Sequence, residues 1–249
     1  MSLGSQPPVS TVDPCDFLHI SLNPDGTITS FLPVTAASLD PTHPNAPLTK
    51  DVLLNPDHAT WVRLFLSNQP LPSDGPTPRK LPLIVYFHAG GFVVMSAASV
   101  PNHDFCSLMA TELHAIVASV EYRLAPEHRL PAAYDDAADA MRWLDMCNDD
   151  WIREHADLSN CYIMGLSVGT NMAFRVGHGE SLKNVRIKGL ILHHPFFGGL
   201  KRTMSELTMW NNKNLPMAVV DLLWELALPV GADFDHEYYN PKFFRCDEL

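Results

Sequence analysis

The sequence predicts an α/β fold with a doubly wound, mostly parallel sheet, and three observations support this prediction. Apolar runs at 81–91 and 115–122 are typical of strands buried on both faces, as in parallel sheets. Helical patterns alternate with such runs from residue 81 onward. A third apolar run, at 161–165, leads through a glycine-flanked serine directly into a helical stretch. We expect a single domain over residues 1–249, because 46% of the residues are hydrophobic and can form a sizeable core.

The first 50 residues are predicted to be peripheral to this sheet. Alternating apolar and polar residues surround Asn23-Pro-Asp-Gly26, whose turn chemistry indicates a short antiparallel hairpin. Four prolines within 31–49 indicate a surface crossing rather than a domain linker. Two further strands are predicted at 50–54 and 60–66.

Later elements follow from apolar periodicity. Between residue 102 and the last predicted helix the expected order is helix near 102–113, strand 115–122, helix 131–146, strand 161–165, helix 168–176, strand 186–194 and helix 217–228. Pro131 suits the first turn of its helix. No internal repeat is present.

Charge and cysteine content exclude several classes of partner. With 28 acidic and 17 basic side chains the formal charge is -11, which repels phosphate backbones and anionic lipids, so neither nucleic acid nor a membrane surface is expected as a partner. The five cysteines (Cys15, Cys106, Cys147, Cys161 and Cys246) show no Cys-x-x-Cys spacing. We therefore expect no disulfide framework, no metal site and no cofactor. Without a leader pattern or an apolar span, a soluble, cytoplasmic protein is expected.

Gly165-Leu-Ser-Val-Gly169 predicts a nucleophile at Ser167. A strand that turns sharply into a helix lifts the serine hydroxyl clear of the sheet, and the glycines leave room for the strained backbone. A serine needs an adjacent base, because its hydroxyl is protonated at neutral pH. Alternatively, Ser167 only caps the helix.

The sequence His88-Ala-Gly-Gly91 predicts an oxyanion loop. It ends an earlier strand, where free backbone N–H groups can lie beside the serine. The expected donors are the N–H groups of Gly90, Gly91 and Val168. An ordinary tight turn is the alternative explanation of the glycine pair.

Five segments in the same order resemble the plant carboxylesterases of the hormone-sensitive-lipase-like α/β-hydrolase family. They are "VYFHAGGF", "YRLAPEHRLPAAYDDA", "GLSVGTNMA", "GLILHHPFFGG" and "ELALPVGADFDHEYYNP". The resemblance implies an α/β-hydrolase fold and ester hydrolysis through a Ser, Asp and His triad with an acyl-enzyme. It places the nucleophile at Ser167 and oxyanion donors at Gly90 and Gly91. Tyr122, Arg123, Pro126 and Glu127 match a segment that is structural in such folds.

The resemblance to this family stops near Asn240-Pro241. The triad acid and base should follow the last two parallel strands, and neither those strands nor such residues are found. The triad acid and base are therefore unknown, and the strand at 186–194 is expected to present an unpaired edge through which the protein could self-associate. His236, beside Asp233 and Asp235, is a weak substitute. His193 and His194 are expected in the core or a pocket wall rather than as bases.

The elbow and the oxyanion loop also differ from the family pattern. Leu166, Val168 and Thr170 replace smaller or acidic residues, so we expect Val168 to crowd the acyl site and Thr170 to press on helix–sheet packing. Ala89 replaces a glycine, which is tolerable unless that residue needs a positive φ.

Three functions remain open from the sequence. The first is a carboxylic ester hydrolase acting on a small apolar or aromatic ester, with turnover much reduced by the missing acid and base. The second is a non-catalytic receptor or interaction protein on the same fold. The third is a carboxylesterase-like dehydratase or cyclase.

Overall fold

A six-stranded sheet forms the centre of the molecule in the computed structural model, which describes residues 10–32, 35–40, 44–68, 80–179 and 182–244. The strands are β1 (Ile20–Leu22), β2 (Ile28–Ser30), β3 (Leu48–Asn55), β4 (Thr60–Leu66), β5 (Leu81–Phe87), β6 (Ile116–Val120), β7 (Ala156–Leu166) and β8 (Ile187–His193). The helices are α1 (Pro14–Leu18), α2 (Val100–Glu112), α3 (Ala132–Met146), α4 (Asp150–His155), α5 (Val168–Gly177), α6 (Met204–Thr208) and α7 (Met217–Ala227), with a 3-10 turn at Pro241–Phe243.

The sheet is mostly parallel, as predicted. Its strand order is β3-β4-β6-β5-β7-β8, with β6, β5, β7 and β8 parallel and β3 and β4 antiparallel. Every residue of β6 is buried, and β5 is buried except at Pro82. Strands covered on both faces have no polar face to alternate, which explains why both read as continuous apolar runs.

The N-terminal hairpin also forms as predicted. β1 and β2 pair antiparallel, and Gly26, at φ 85°, donates its N–H to the Asn23 carbonyl at 3.0 Å. A positive φ at this position is the conformation that glycine adopts without strain. The hairpin is tied to the domain by the Ile28 N–H, which donates to the Glu127 carboxylate at 3.0 Å.

Several elements were not predicted or were placed too short. β7 begins at Ala156 rather than Cys161, because the polar residues Asp157, Ser159 and Asn160 hide the strand pattern. α1, α4 and α6 were missed because they contain only 5, 6 and 5 residues, too few for a helical period. Pro131 is the N-cap of α3 rather than a first-turn residue.

β8 is the last strand of the sheet in the described part of the chain. It pairs with β7 on one side, and no described strand pairs with its other side. Its burial is correspondingly poor, and Ile191 is 42% exposed. Within the described residues, one side of β8 is therefore unpaired, in line with the prediction.

Membrane-spanning helices, metal sites and disulfides were not expected from the sequence, and the described residues show the following. No helix among them is long and apolar enough to cross a bilayer. They contain no group of three His, Cys, Asp or Glu side chains arranged to hold a metal ion. Cys15, Cys106, Cys147 and Cys161 are free thiols, and Cys246 lies outside the described residues.

Candidate active site

Ser167 lies at the sharp turn between β7 and α5. Its backbone has φ 56° and ψ −118°, a conformation that residues other than glycine rarely adopt. Its N–H donates to the His193 carbonyl at 2.9 Å, which anchors the turn to the end of β8. The residue is half-buried, and no described group hydrogen-bonds to its hydroxyl. The strand–turn–helix context expected of a nucleophile elbow is thus present, while the catalytic role of Ser167 stays a prediction.

The two flanking glycines are required by close backbone approach. A Cβ at Gly165 would lie 2.0 Å from the Gly169 carbonyl group, and a Cβ at Gly169 would lie 2.0 Å from the Phe87 carbonyl oxygen. The start of α5 therefore packs directly on the end of β5. This contact brings the elbow beside the loop that follows β5.

Thr170 fits the elbow instead of straining it, contrary to the expectation from sequence. Its side chain is fully buried, its hydroxyl donates to the Ser167 carbonyl, and the same oxygen accepts the Phe196 N–H at 3.2 Å. Val168 is also fully buried and belongs to the main core. The added bulk at position 170 is thus accommodated by two hydrogen bonds that tie the elbow to the segment after β8.

The glycine pair after β5 forms a tight loop. Gly90 has φ 126° and Gly91 has φ 65°, whereas Ala89 has no positive φ, so the loss of glycine at position 89 is tolerated. The Gly90 carbonyl accepts the N–H groups of Val93 and Val94 at 3.0 and 2.9 Å. The Gly90 and Gly91 N–H groups donate no backbone hydrogen bond within the described residues. Free donors at this position are what an oxyanion hole requires.

The segment that follows β6 packs against the glycine loop after β5 and hydrogen-bonds to it. The Ala125 N–H donates to the Phe92 carbonyl at 2.8 Å. Arg123 donates through its backbone N–H and its guanidinium to the fully buried Asp136, with the shortest contacts at 2.8 Å. A buried carboxylate is tolerated only when it is paired and hydrogen-bonded in this way. The structural role implied for Tyr122 and Arg123 agrees with these contacts.

His88 is fully buried at the start of the loop. Its Nδ1 lies 2.7 Å from the Ala89 carbonyl, which can only accept, so Nδ1 carries the proton. The Tyr122 ring stacks on the imidazole at 4.1 Å, and its hydroxyl donates to the His88 carbonyl at 2.9 Å. Burial lowers the pKa of His88 to about 4, so the ring is neutral near pH 7.

Glu121 lies beside His88 because the two residues follow neighbouring parallel strands. Phe87 of β5 pairs with Val120 of β6, so the next residue on each strand occupies the same end of the sheet. Glu121 Oε2 is 3.8 Å from His88 Nε2. The same carboxyl oxygen accepts the Ser96 hydroxyl at 2.9 Å and the Ala97 N–H at 2.6 Å. Burial raises the pKa of Glu121 to about 7.

α7 covers the oxyanion loop with an apolar layer. A Cβ at Gly91 would lie 2.4 Å from Leu223, so the helix packs directly on the glycine. Trp224 is fully buried, with its ring 5.8 Å from Phe92 and stacked on Phe196 at 5.2 Å. A ligand at Ser167 would therefore meet aromatic and aliphatic side chains on this side.

The structure does not bring an acid–base pair to Ser167 within the described residues. His236 accepts the Tyr238 N–H at 3.3 Å and its ring packs on Tyr238. Asp235 accepts from the Leu200 N–H and the Asn240 amide, both at 3.0 Å, which lowers its pKa. These side chains build their own loop.

His193 and His194 are exposed, so the prediction that they lie in the core was wrong, while their place in a pocket wall stays a prediction. His193 is the last residue of β8 and His194 follows it, and no described strand pairs with the outer side of β8. Their rings pack against each other at 4.2 Å.

Comparison with known proteins identifies the family. A family model described as an alpha/beta hydrolase fold matches residues 84–247. Carboxylesterase 20 of Arabidopsis thaliana is 47% identical over 242 residues, covering 94% of this chain and 74% of that protein. This chain belongs to the plant carboxylesterases of the α/β-hydrolase family. A 3-O-acetylpapaveroxine carboxylesterase of Papaver somniferum is 46% identical over 92% of this chain and 73% of its own length.

More distant comparisons agree on the fold of this plant carboxylesterase relative. A Pyrobaculum calidifontis esterase superposes with a TM-score of 0.62 at 28% identity, covering 79% of this chain. The chain spans 62% of that esterase. A 2-hydroxyisoflavanone dehydratase of Glycyrrhiza echinata is 32% identical over 87% of this chain and 68% of its own length. The relatives of this chain therefore include proteins named as carboxylesterases and one named as a dehydratase.

The sequence reasoning missed Glu121 and the covering role of α7. A signal for Glu121 was present, because it is an acid directly after a fully apolar strand that neighbours the loop strand. Nothing local indicates that Leu223 meets Gly91, since the two are separated by most of the chain and meet only through packing.

Proposed function

We propose that this protein hydrolyses carboxylic esters of small, largely apolar or aromatic compounds, with Ser167 as the nucleophile. The observation that carries the proposal is the strained turn at Ser167 packed against the end of β5, from which Gly90 and Gly91 follow. In the proposed reaction the serine oxygen attacks the ester carbonyl and the alcohol leaves. Water then releases the acid from the acyl-enzyme.

The oxyanion that forms at the carbonyl would be held by the N–H groups of Gly90, Gly91 and Val168. Val168 is the first residue of α5, where backbone N–H groups lack partners within the helix and the helix dipole favours negative charge. Losing one such donor typically costs about 2.7–4 kcal/mol of transition-state stabilisation.

We further propose that turnover by this 249-residue chain is low, because no described side chain hydrogen-bonds to the Ser167 hydroxyl. Without a base, the serine stays protonated. Oxyanion stabilisation and binding alone still provide about 10³–10⁴-fold acceleration over water.

The decisive test is labelling of Ser167 by a fluorophosphonate probe, with peptide mass spectrometry and a Ser167→Ala control. A folded protein should label slowly at Ser167 and lose labelling in the variant. Labelling at another residue would contradict the assignment of the nucleophile. Rapid labelling, at rates typical of serine hydrolases, would contradict the proposed low turnover.

The acyl group is proposed to be short. The Papaver somniferum relative is named for an acetylated substrate, and the Leu223 and Trp224 side chains pack closely over the loop beside Ser167. We expect p-nitrophenyl acetate to acylate Ser167 faster than p-nitrophenyl octanoate. A preference for octanoate would overturn this part of the proposal.

A dehydratase is the second candidate, since a 2-hydroxyisoflavanone dehydratase is 32% identical. Dehydration forms no acyl-enzyme. Product analysis with a 2-hydroxyisoflavanone would therefore reveal loss of water in the Ser167→Ala variant as well as in the parent chain.

A further inference from the structure

The two ends of the loop that carries Gly90 and Gly91 meet at one carboxyl group. His88 begins this loop and Ser96-Ala97 end it, just before α2. Glu121 Oε2 accepts from Ser96 and Ala97 and lies 3.8 Å from His88 Nε2. Among the described residues, no other side chain contacts both ends through a hydrogen bond or an ion pair.

One of the two ring nitrogens of His88 has no hydrogen-bond partner among the described residues. Its Nδ1 proton is used by the Ala89 carbonyl at 2.7 Å. The Nε2 atom is buried and has no hydrogen-bond partner among the described residues. A neutral ring with its proton on Nδ1 offers a lone pair at Nε2, which needs a donor.

We propose that Glu121 is a positioning residue of the oxyanion loop, sharing one proton with His88 Nε2 while its carboxyl group holds Ser96 and Ala97. Closing the 3.8 Å gap to about 2.8 Å would complete an O–H···N hydrogen bond. Through His88 and the Ala89 carbonyl, this bond sets the orientation of the peptide groups that lead into Gly90. The inference rests on the proposed function only in naming this segment an oxyanion loop.

The surrounding charges allow the proton to reside on the carboxyl group. Burial raises the pKa of Glu121 to about 7 and lowers that of His88 to about 4, so a neutral acid faces a neutral base between these two pH values. The nearby Arg63 lowers the pKa of Glu121, but Asp51 opposes it and pairs with the same guanidinium at 2.7 Å.

Tyr122 is a further titratable group against the pair, and its ring stacks on His88. Burial raises its pKa well above the ordinary value, so it stays a neutral hydroxyl donor. Ionisation of Glu121 above about pH 7 therefore leaves a carboxylate facing the Nε2 lone pair. That repulsion loosens the loop.

Three variants of the full chain test the proposal. Glu121→Gln keeps an acceptor for Ser96 and Ala97 and supplies an amide N–H that cannot ionise. Glu121→Ala removes both functions. Glu112→Gln is the matched control, since Glu112 is exposed at the end of α2.

The first readout is the ¹⁵N chemical shift of the His88 ring, followed by NMR from pH 5 to pH 9. In the parent chain and in Glu112→Gln we expect the Nε2 resonance to move near pH 7 while Nδ1 stays protonated. In Glu121→Gln the Nε2 resonance should not move in that range. A His88 signal that is identical in all variants at every pH would overturn the proposal.

The second readout is the rate of fluorophosphonate labelling at Ser167. Glu121→Ala should lower this rate by about 10-fold, less than the 10²–10³-fold of a lost oxyanion donor. In the parent chain the labelling rate should decline above pH 7. Glu121→Gln should keep the labelling rate of the parent chain at lower pH and should not show this decline. If the parent chain fails to label while its His88 signal titrates as described, the proposed function fails and the positioning role stands. Labelling with pH profiles that coincide in the parent and Glu121→Gln chains would overturn the positioning role.

Discussion

At the scale of single residues, folding relocates a proton between Glu121 and His88. Between pH 4.5 and 6.5, the ordinary pKa values of the two groups, the unfolded chain carries the proton on His88. The folded chain carries it on Glu121, whose pKa is raised to about 7, while that of His88 is lowered to about 4. Both states bind one proton, so the pair adds no pH dependence to the free energy of unfolding in this range.

Removing either partner should make the free energy of unfolding depend on pH in this range. In Glu121→Gln only His88 remains, and its depressed pKa means that stability is lost as pH falls from 6.5 towards 4. In His88→Gln only Glu121 remains, and its raised pKa means that stability is lost as pH rises from 4.5 towards 7. Each slope should approach about 1.4 kcal/mol per pH unit, with opposite signs. Urea unfolding at three pH values measures both, and parallel profiles for the two variants would refute the relocation.

The elbow glycines give a second prediction at this scale. Gly169→Ala places a Cβ 2.0 Å from the Phe87 carbonyl oxygen, so α5 must move away from β5. We expect a loss of at least about 2 kcal/mol in the free energy of unfolding and loss of Ser167 labelling. Gly189→Ala is the control, because its nearest neighbour is the Tyr162 ring at 3.7 Å. Equal stability of the two variants, measured by urea unfolding, would show that the close approach is absent.

At the scale of elements, Arg175 and Asn171 of α5 bind the segment that follows α7. Arg175 pairs with Glu237 at 2.8 Å and lies 4.7 Å from the Tyr134 ring and 4.3 Å from the Tyr238 ring. Asn171, one turn earlier, donates to the Tyr238 carbonyl at 2.7 Å. These contacts hold residues 236–240 along α5, the helix that follows Ser167.

Replacing this arginine should release the segment. We expect Arg175→Gln to lower the free energy of unfolding by about 1–2 kcal/mol, because a cation is removed from the faces of three aromatic rings, Phe244 being the third, and Glu237 loses its partner. Hydrogen exchange should accelerate at residues 236–244 more than in the sheet. Arg153→Gln, which breaks an exposed ion pair with Asp150, is the control and should change little. Uniform exchange across the chain would argue against a local fastening role.

At the scale of the whole molecule, the free side of β8 is an association surface in our prediction. Its backbone groups on that side pair with no described strand, and Ile191 is 42% exposed. An unprotected edge of this kind can pair with the edge of a second copy. We therefore expect concentration-dependent self-association in sedimentation velocity experiments.

A charge placed on the edge should oppose that association. Ile191→Lys is expected to shift the protein towards monomer, because edge lysines resist strand pairing. Leu108→Lys on α2 is the matched control, since Leu108 is 58% exposed but lies away from the edge. A monomeric parent chain, or equal shifts in both variants, would exclude β8 as the association surface.

Much of the fold could be predicted because it is encoded in short-range patterns. Continuous apolar runs identified β5 and β6, and turn residues identified the β1–β2 hairpin. Gly165 and Gly169 marked the elbow because a motif of five residues defines its own backbone geometry. Short or polar elements such as α4 and the first half of β7 escaped, since they carry no clear period.

The sequence by itself determined the individual strands, the strained turn at Ser167 and the glycine loop, because each depends on residues close together along the chain. Only the tertiary structure decided which distant groups meet there. It brought Glu121 against His88 through the register of β5 and β6, and Leu223 against Gly91 through helix packing. It also exposed His193 and His194 at a free edge. Such contacts join residues far apart in sequence, and the burial that sets their pKa values exists only after the chain has packed.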